Sequence, residues 1–241
     1  LAYYGAYIFT RKMEKAPGFA RIGLIISSVF MLYIAFIFVN NNTLYLTPDR
    51  WSVYFDRPGG MNLNMGEPTL WPRYLHFLVA ALAIGALGRA IYYHFSKFDD
   101  EVKAEQIRKN LKIFGWMTLV QVAVGTWFWL SMPKDIWMLY MGKSIYATVL
   151  MVIGWLCALG ILHAGFTGRI MQAIILALVT VTTMVLVRDV ARRAYLDSYF
   201  HPSKLENVKE LSPFIAFLLV FVVGLFLLYY MIRLMSKSNT R

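Results

Sequence analysis

Of the 241 residues, 59% are hydrophobic and only 15% charged, against about 45–50% and ~25% in soluble domains, which excludes a soluble enzyme built on one ordinary core. A lone cysteine, Cys157, sits inside an apolar run and excludes a disulfide scaffold. The net charge of +11 would point to nucleic acid in a soluble protein; here it reads as membrane topology, so the expected partner is the lipid bilayer and not a nucleic acid.

In chain order, residues 1–9 (LAYYGAYIF) read as the last turns of an apolar helix ahead of the basic RKMEK, which upstream residues or a second chain would complete. A hydrocarbon core of ~30 Å needs about 20 apolar residues in a helix. Six runs approach that length, at 22–39, 75–93, 113–130, 144–163, 170–187 and 213–234. They lack the short alternating pattern of a membrane barrel, so helices are the only way to satisfy their backbone groups within each segment. The expected fold is an all-α polytopic transmembrane bundle in a single integral membrane domain over 1–241. It has six spans plus the end of a possible seventh.

Orientation follows from Lys and Arg. With RKMEK in the cytoplasm, fourteen of the 24 basic residues fall inside and eight of the 13 acids outside. Both observed ends are therefore expected to be cytoplasmic, in the cell membrane of a bacterium or archaeon. Outside, 40–74 is rich in Asn, Pro and Gly with Trp51 and Trp71, as in an interface cap, and 188–212 combines RDVARRAY with an amphipathic tail. Inside, SKFDDEVKAEQIRKNLK (96–112) reads as a short surface helix with Glu105 and Lys109 spaced i,i+4. The sequence shows no internal repeat and no soluble domain, so a redox head would come from a partner.

Few residues suit chemistry. His76, in WPRYLHFLVAALAIGALGRA (71–90), stands at the outer end of the second span, where an imidazole needs a partner or a function. Ala80 and Ala83 leave a small face below it, as a flat macrocycle beside a helix would need, and Arg73 one turn before could meet a haem propionate. The other reading of the same residues is small-residue helix packing with His76 as an interface cap. His94 and His163 fall at the inner ends, His94 roughly 27 Å from His76 at ~1.5 Å per residue. They cannot share its iron and could form a second, inner site. His201 reads as a solvated loop residue. Met138 and Met141 lie at the outer entrance of the fourth span, level with His76, and a His/Met pair holds haem in some cytochromes. In RDVARRAY (188–195), Asp189 and Arg192 can pair at i,i+3, either as a helix-end salt bridge or as part of a site for an anionic group or a quinone.

Taken in order, these pieces resemble subunit I of the cytochrome bd quinol oxidases. FVNNNTLYLTP (38–48) is similar to the segment closing that family's fourth helix. PTLWPRYLHFLVAA (68–81) is similar to the segment with a basic residue, an aromatic and the histidine that ligates the low-spin haem b. FGWMTLVQVAVGTWFW (114–129) is similar to the next helix, and RDVARRAY to the family's Glu-x-Gly-Arg-Gln-Pro-Trp signature. The resemblance covers most of the chain, matching the fourth to ninth helices, and implies a low-spin haem b held axially by His76 and Met141. It also implies Arg73, Asp189 and Arg192 around that cofactor, a possible second haem, and quinone as a possible substrate.

Departures matter equally. The family's first helices, which carry the oxygen-reducing site, have no counterpart. Its long quinol-binding loop is reduced to SMPKDIWMLYMGK (131–143), Met141 is one position out of register, and Asp189 stands for the glutamate. The expectation is therefore a b-type cytochrome subunit of a respiratory electron-transfer complex, not catalytic alone. It would relay electrons between the quinone pool and an outer-side partner such as a c-type cytochrome or iron–sulfur protein, beside other membrane subunits. The alternatives are part of a split or truncated bd-type oxidase reducing oxygen, and a haem-free membrane anchor.

Overall fold

The structure is a computed structural model and describes residues 1–56, 59–60, 62–201, 205 and 210–238, with side chains through 234. Of the stretch expected as an amphipathic tail, 202–204 and 206–209 lie outside these residues. Two compact units, Leu1–Phe200 and His201–Arg241, are described separately.

Among the described residues of the first unit there are only helices and loops. They are α1 (Ala2–Lys12), α2 (Pro17–Tyr45), a 3-10 turn (Pro48–Arg50), α3 (Val53–Asp56), α4 (Leu70–Phe95), α5 (Asp100–Leu130), α6 (Lys134–Trp137), a second 3-10 turn (Met138–Met141), α7 (Ile145–Thr167) and α8 (Ile170–Leu196). The second unit contains α9 (Ser212–Ser238), long and apolar. Helices α2, α4, α5, α7, α8 and α9 are long and apolar enough to cross a bilayer and coincide with the six expected spans. The chain is an all-α, multi-pass membrane protein.

Local sequence sets the helix ends. Pro17 occupies the first turn of α2, where its missing N–H would be unpaired anyway. Asp100 and Glu101 open α5 against the positive end of its dipole. The Ser144 hydroxyl accepts the Ala147 N–H at 3.4 Å to cap α7. Gly168 ends α7 at φ +77°, a left-handed conformation natural only to glycine, and turns the chain directly into α8.

Three expected boundaries move. The segment 96–112 is no separate surface helix: α5 runs unbroken from Asp100 to Leu130, because Asn110, Leu111 and Phe114 are buried and hold its first half in register with the span. RDVARRAY is the last two turns of α8 and not a loop. Helix α2 continues through three asparagines to Tyr45, the Thr43 hydroxyl bonding back to Asn40 O at 2.7 Å.

Packing proceeds by hairpins, α1 on α2, α4 on α5 and α7 on α8, joined through α5–α7 and α2–α4. Small residues let backbones touch, which is how helices associate where lipid removes the hydrophobic drive. A Cβ on Gly165 of α7 would lie 2.9 Å from Leu111 O and 3.0 Å from Gly115 Cα of α5; one on Gly5 of α1 would lie 2.6 Å from Gly23 O of α2. Two apolar clusters close the ends of the α4–α8 bundle. One, around Ala83, Ala86, Leu111, Phe114 and Ala173, lies toward His94. The other, around Met132, Ile136, Tyr140, Ala147 and Ala191, lies toward Arg73. The space between them is not filled.

Candidate functional site, an arginine-capped apolar slot

That space is a cavity of about 340 Å³ between α4, α5, α7 and α8, reaching the end of α2. Its wall runs from Thr118 to Trp129 on α5, Leu150 to Ile161 on α7 and Thr180 to Arg192 on α8. Each stretch is roughly 17 Å long at ~1.5 Å per residue. Away from its Arg73 end the lining is apolar but for Gln121 and the hydroxyls of Thr118, Thr126, Thr180 and Thr183, which bond back to their own helices. At the Arg73 end the charged wall residues are Arg73, Arg188 and Arg192, with no Asp or Glu among the lining. A slot of this character selects a long or flat apolar body with an anionic group at one end.

Arg73 is 8% exposed. Its Nη1 donates to Asn42 Oδ1 at 3.1 Å and its guanidinium carbon stands 4.8 Å over the Phe128 ring, while its Nε has no partner. Among the described residues the ion pairs are Lys103–Asp100 and Arg193–Asp189, so Arg73 is paired with no carboxylate. Glu67 acts on Arg73 electrostatically without reaching ion-pair distance; a buried cation with no close partner is costly, and an anion entering the slot would lower that cost.

The Asn-rich end of α2 carries the supporting network. Asn40 Oδ1 accepts the Asn64 N–H at 2.7 Å, and Asn40 Nδ2 donates to Asn62 O at 3.0 Å. Asn64 Nδ2 donates to Thr43 Oγ1 at 3.3 Å, and Arg50 donates to Asn64 Oδ1. These amides tie Asn62 and Asn64 to the last turns of α2, the end of the helix that presents Asn42 to the slot. The sequence marks FVNNNT as a family segment and as the start of an Asn-rich interface cap, without this network; three consecutive amides closing an apolar helix were the signal for it.

His76 also lines the slot. Gln121 of α5 donates to its backbone oxygen at 3.1 Å, Gly125 faces its ring, and the Phe128 ring centroid lies 6.0 Å away. Its Nδ1 is buried without a partner, as are Gln121 Oε1, Trp129 Nε1 and Tyr195 Oη. With Arg73 Nε these are the five buried, unpartnered side-chain polar atoms among the described residues. Four of the five belong to residues that line this one slot. Buried polar groups normally find partners, so their concentration marks a place where a polar ligand or water completes the structure.

The other expected residues divide. Arg192 lines the slot and stands 5.8 Å over the Tyr45 ring. Asp189 pairs with Arg193 at 2.8 Å, not with Arg192 as expected, and faces a separate cleft with Asp135 and Lys143. The cause is helical phase: Arg188 and Arg192 are i,i+4 on the slot face, and Asp189 and Arg193 are i,i+4 on the next. Met141 is 61% exposed on the second 3-10 turn and does not line the slot, whereas Met132, Met151 and Met184 do. The small face of α4 is not a slot wall either. Ala83, Ala86 and Ala90 are buried in the packed cluster, and Gly85 and Gly88 face outward. His94 and His163 are both exposed.

The fold and this slot define the chain as a multi-pass membrane protein with an intramembrane cavity. Comparison with models of known protein families, with curated proteins and with solved structures finds no match.

Proposed function

We propose that this chain is a b-type cytochrome subunit of a respiratory electron-transfer complex, seated in a bacterial or archaeal cell membrane with both observed ends cytoplasmic. The observation that carries the reading is the pairing, in one apolar slot, of a lone imidazole with a charged rim made entirely of arginine. A haem b needs that combination: a nitrogen ligand for iron, an apolar wall for the macrocycle and cations for two carboxylates. When bound it supplies reversible one-electron transfer, here between the quinone pool and an outer-side partner such as a c-type cytochrome or iron–sulfur protein.

The chain's own residues do the rest. His76 would hold the iron through a ring nitrogen, and Arg73 and Arg192 would hold the carboxylates and favour the more reduced, more negative form of the group. The apolar stretches of α5, α7 and α8 exclude water and lower the local dielectric, which raises the weight of each fixed charge. Met141, which the resemblance gives as the second axial ligand, reaches the slot only if the turn at 138–141 rearranges, and three other methionines already stand in the wall.

The test is direct. The purified protein should contain b-type haem by pyridine haemochrome assay, and His76→Ala should lose most of the reduced-minus-oxidised absorbance while retaining its helical circular dichroism. A wild-type preparation free of haem would leave a membrane anchor as the better reading.

A further inference from the structure

We infer that Gly125 and Gln121 of α5 are positioning residues that set the orientation of the His76 imidazole, an inference that rests on the cytochrome reading of that histidine. Glycine is a poor helix residue, and most of the close-packed glycines in this bundle earn their place by letting a second helix approach. Gly165 meets the backbone of α5, Gly5 and Gly23 meet each other's backbone, and Gly160 meets Leu176. Gly125 is different. A Cβ there would meet only the His76 ring, 3.3 Å from Cε1 and 3.4 Å from Nδ1. The missing methyl is thus a berth for one edge of an imidazole and serves no helix contact.

One turn earlier on the same face, Gln121 Nε2 donates to the His76 backbone oxygen at 3.1 Å. Residues 121 and 125 are i,i+4 neighbours, so α5 holds His76 at two points, its main chain and its ring edge. The edge resting on Gly125 carries Nδ1, which is buried. That leaves Nε2 as the nitrogen open to a ligand in the slot. The ring edge occupies the space that a Cβ at position 125 would take, and the Phe128 ring stands 6.0 Å away by centroids one turn beyond. Helix α5 therefore sets the orientation of the imidazole that would hold the iron, and with it the electronic character of that ligand.

The measurement compares wild type, His76→Ala, Gly125→Ala, Gln121→Ala and Gly85→Ala as purified full chains. Gly85 lies on the same helix as His76, but a Cβ there meets nothing and the residue is off the slot. Haem-to-protein ratio, the low-spin electron paramagnetic resonance g values, the reduced α band and the midpoint potential are recorded. Gly125→Ala should keep its haem and shift the largest g value, the α band and the midpoint; Gln121→Ala should shift the same readings less; Gly85→Ala should match wild type. Wild-type readings from Gly125→Ala, with haem lost in His76→Ala, overturn the positioning role and leave the cytochrome standing. Haem-free wild type overturns both. If Gly125→Ala does not assemble, Gln121→Ala decides: an unmoved spectrum there rejects the inference, and a moved one at constant haem content supports it.

Discussion

Arg73 Nη1 donates to Asn42 Oδ1 at 3.1 Å, linking α4 to the last turn of α2 across 31 residues of sequence. It is the hydrogen bond that the buried guanidinium makes with a side chain, its Nε being unpartnered. A hydrogen bond to a charged group contributes about 1.5–3 kcal/mol. Asn42→Ala should therefore lower the stability of the detergent-solubilised protein by about that amount, read as a lower thermal midpoint by circular dichroism. Asn42→Asp should act oppositely on stability and compete with any anion in the slot, so haem retention should fall while the midpoint rises. A thermal midpoint unchanged in both variants would remove Asn42 from the account.

Arg192 and Arg193 are sequence neighbours on different faces of α8, and they separate the slot from the surface. Arg193 is bridged to Asp189 with side chains 73% and 40% exposed, a type of pair that contributes about 0–1 kcal/mol. Arg192 lines the slot. Arg193→Ala should leave haem content and midpoint potential as in wild type, with a thermal change too small to resolve. Arg192→Ala should lower haem retention and make the midpoint more negative, since a cation that favours the reduced cofactor has been removed. Equal effects from the two would argue against the arginine rim as a carboxylate site.

Hydropathy made the spans legible because length and apolar content are what a bilayer demands, and each of the six expected runs falls on a long helix, Ser144 being the cap of its own. Their ends were not legible. The charged stretch 96–112 reads by polarity as a separate surface helix and 188–195 as the edge of an outer segment, yet each is continuous with a spanning helix. Arg73, His76 and Arg192, which line the slot, stand out in the sequence because each is a polar residue where an apolar one is cheaper. Met141 was misplaced relative to the slot because level along the membrane normal says nothing of which way a turn faces. Asp189 was matched to Arg192 because i,i+3 and i,i+4 spacings are both permitted on a helix, and tertiary phase chose Arg193. Gly125 and Gln121 carry no signal in a single sequence, since their partner lies on another helix.

Gly165 tests the seam on which the slot depends. Its missing side chain lets α7 rest against the main chain of α5, and an added Cβ would lie 2.9 Å from Leu111 O and 3.0 Å from Gly115 Cα. Backbone atoms cannot move aside as side-chain tips do, so Gly165→Ala has to separate the helices. Overpacking of this kind costs about 1–3 kcal/mol. Gly224→Ala, where an added Cβ meets nothing, is the matched control and should be neutral or slightly stabilising in the same thermal melt. A Gly165→Ala midpoint equal to that of the control would mean that α5 and α7 do not meet at this seam.

Alkaline titration reports on the cap at the Arg73 end. Tyr140, on the 3-10 turn between α6 and α7, is 2% exposed and its hydroxyl donates to Val187 O at 2.8 Å. Burial disfavours the phenolate and pushes its pKa up to about 12 from 10.0. In the unfolded chain the same hydroxyl ionises near 10, so above that pH the unfolded state loses a proton that the folded state keeps. The contribution is absent from the pH dependence below about 10, and stability then falls as pH rises toward 12, by at most roughly 3 kcal/mol at ~1.4 kcal/mol per unit. Tyr140→Phe removes this group, so its stability should decline less steeply than wild type between those limits. The tyrosinate absorbance gained near pH 10 should be the same in folded wild type and folded Tyr140→Phe, because Tyr140 does not titrate there, and should differ by one residue once both are denatured. Parallel stability curves for the two proteins across that window would show that Tyr140 is solvated and that the cap does not close over it.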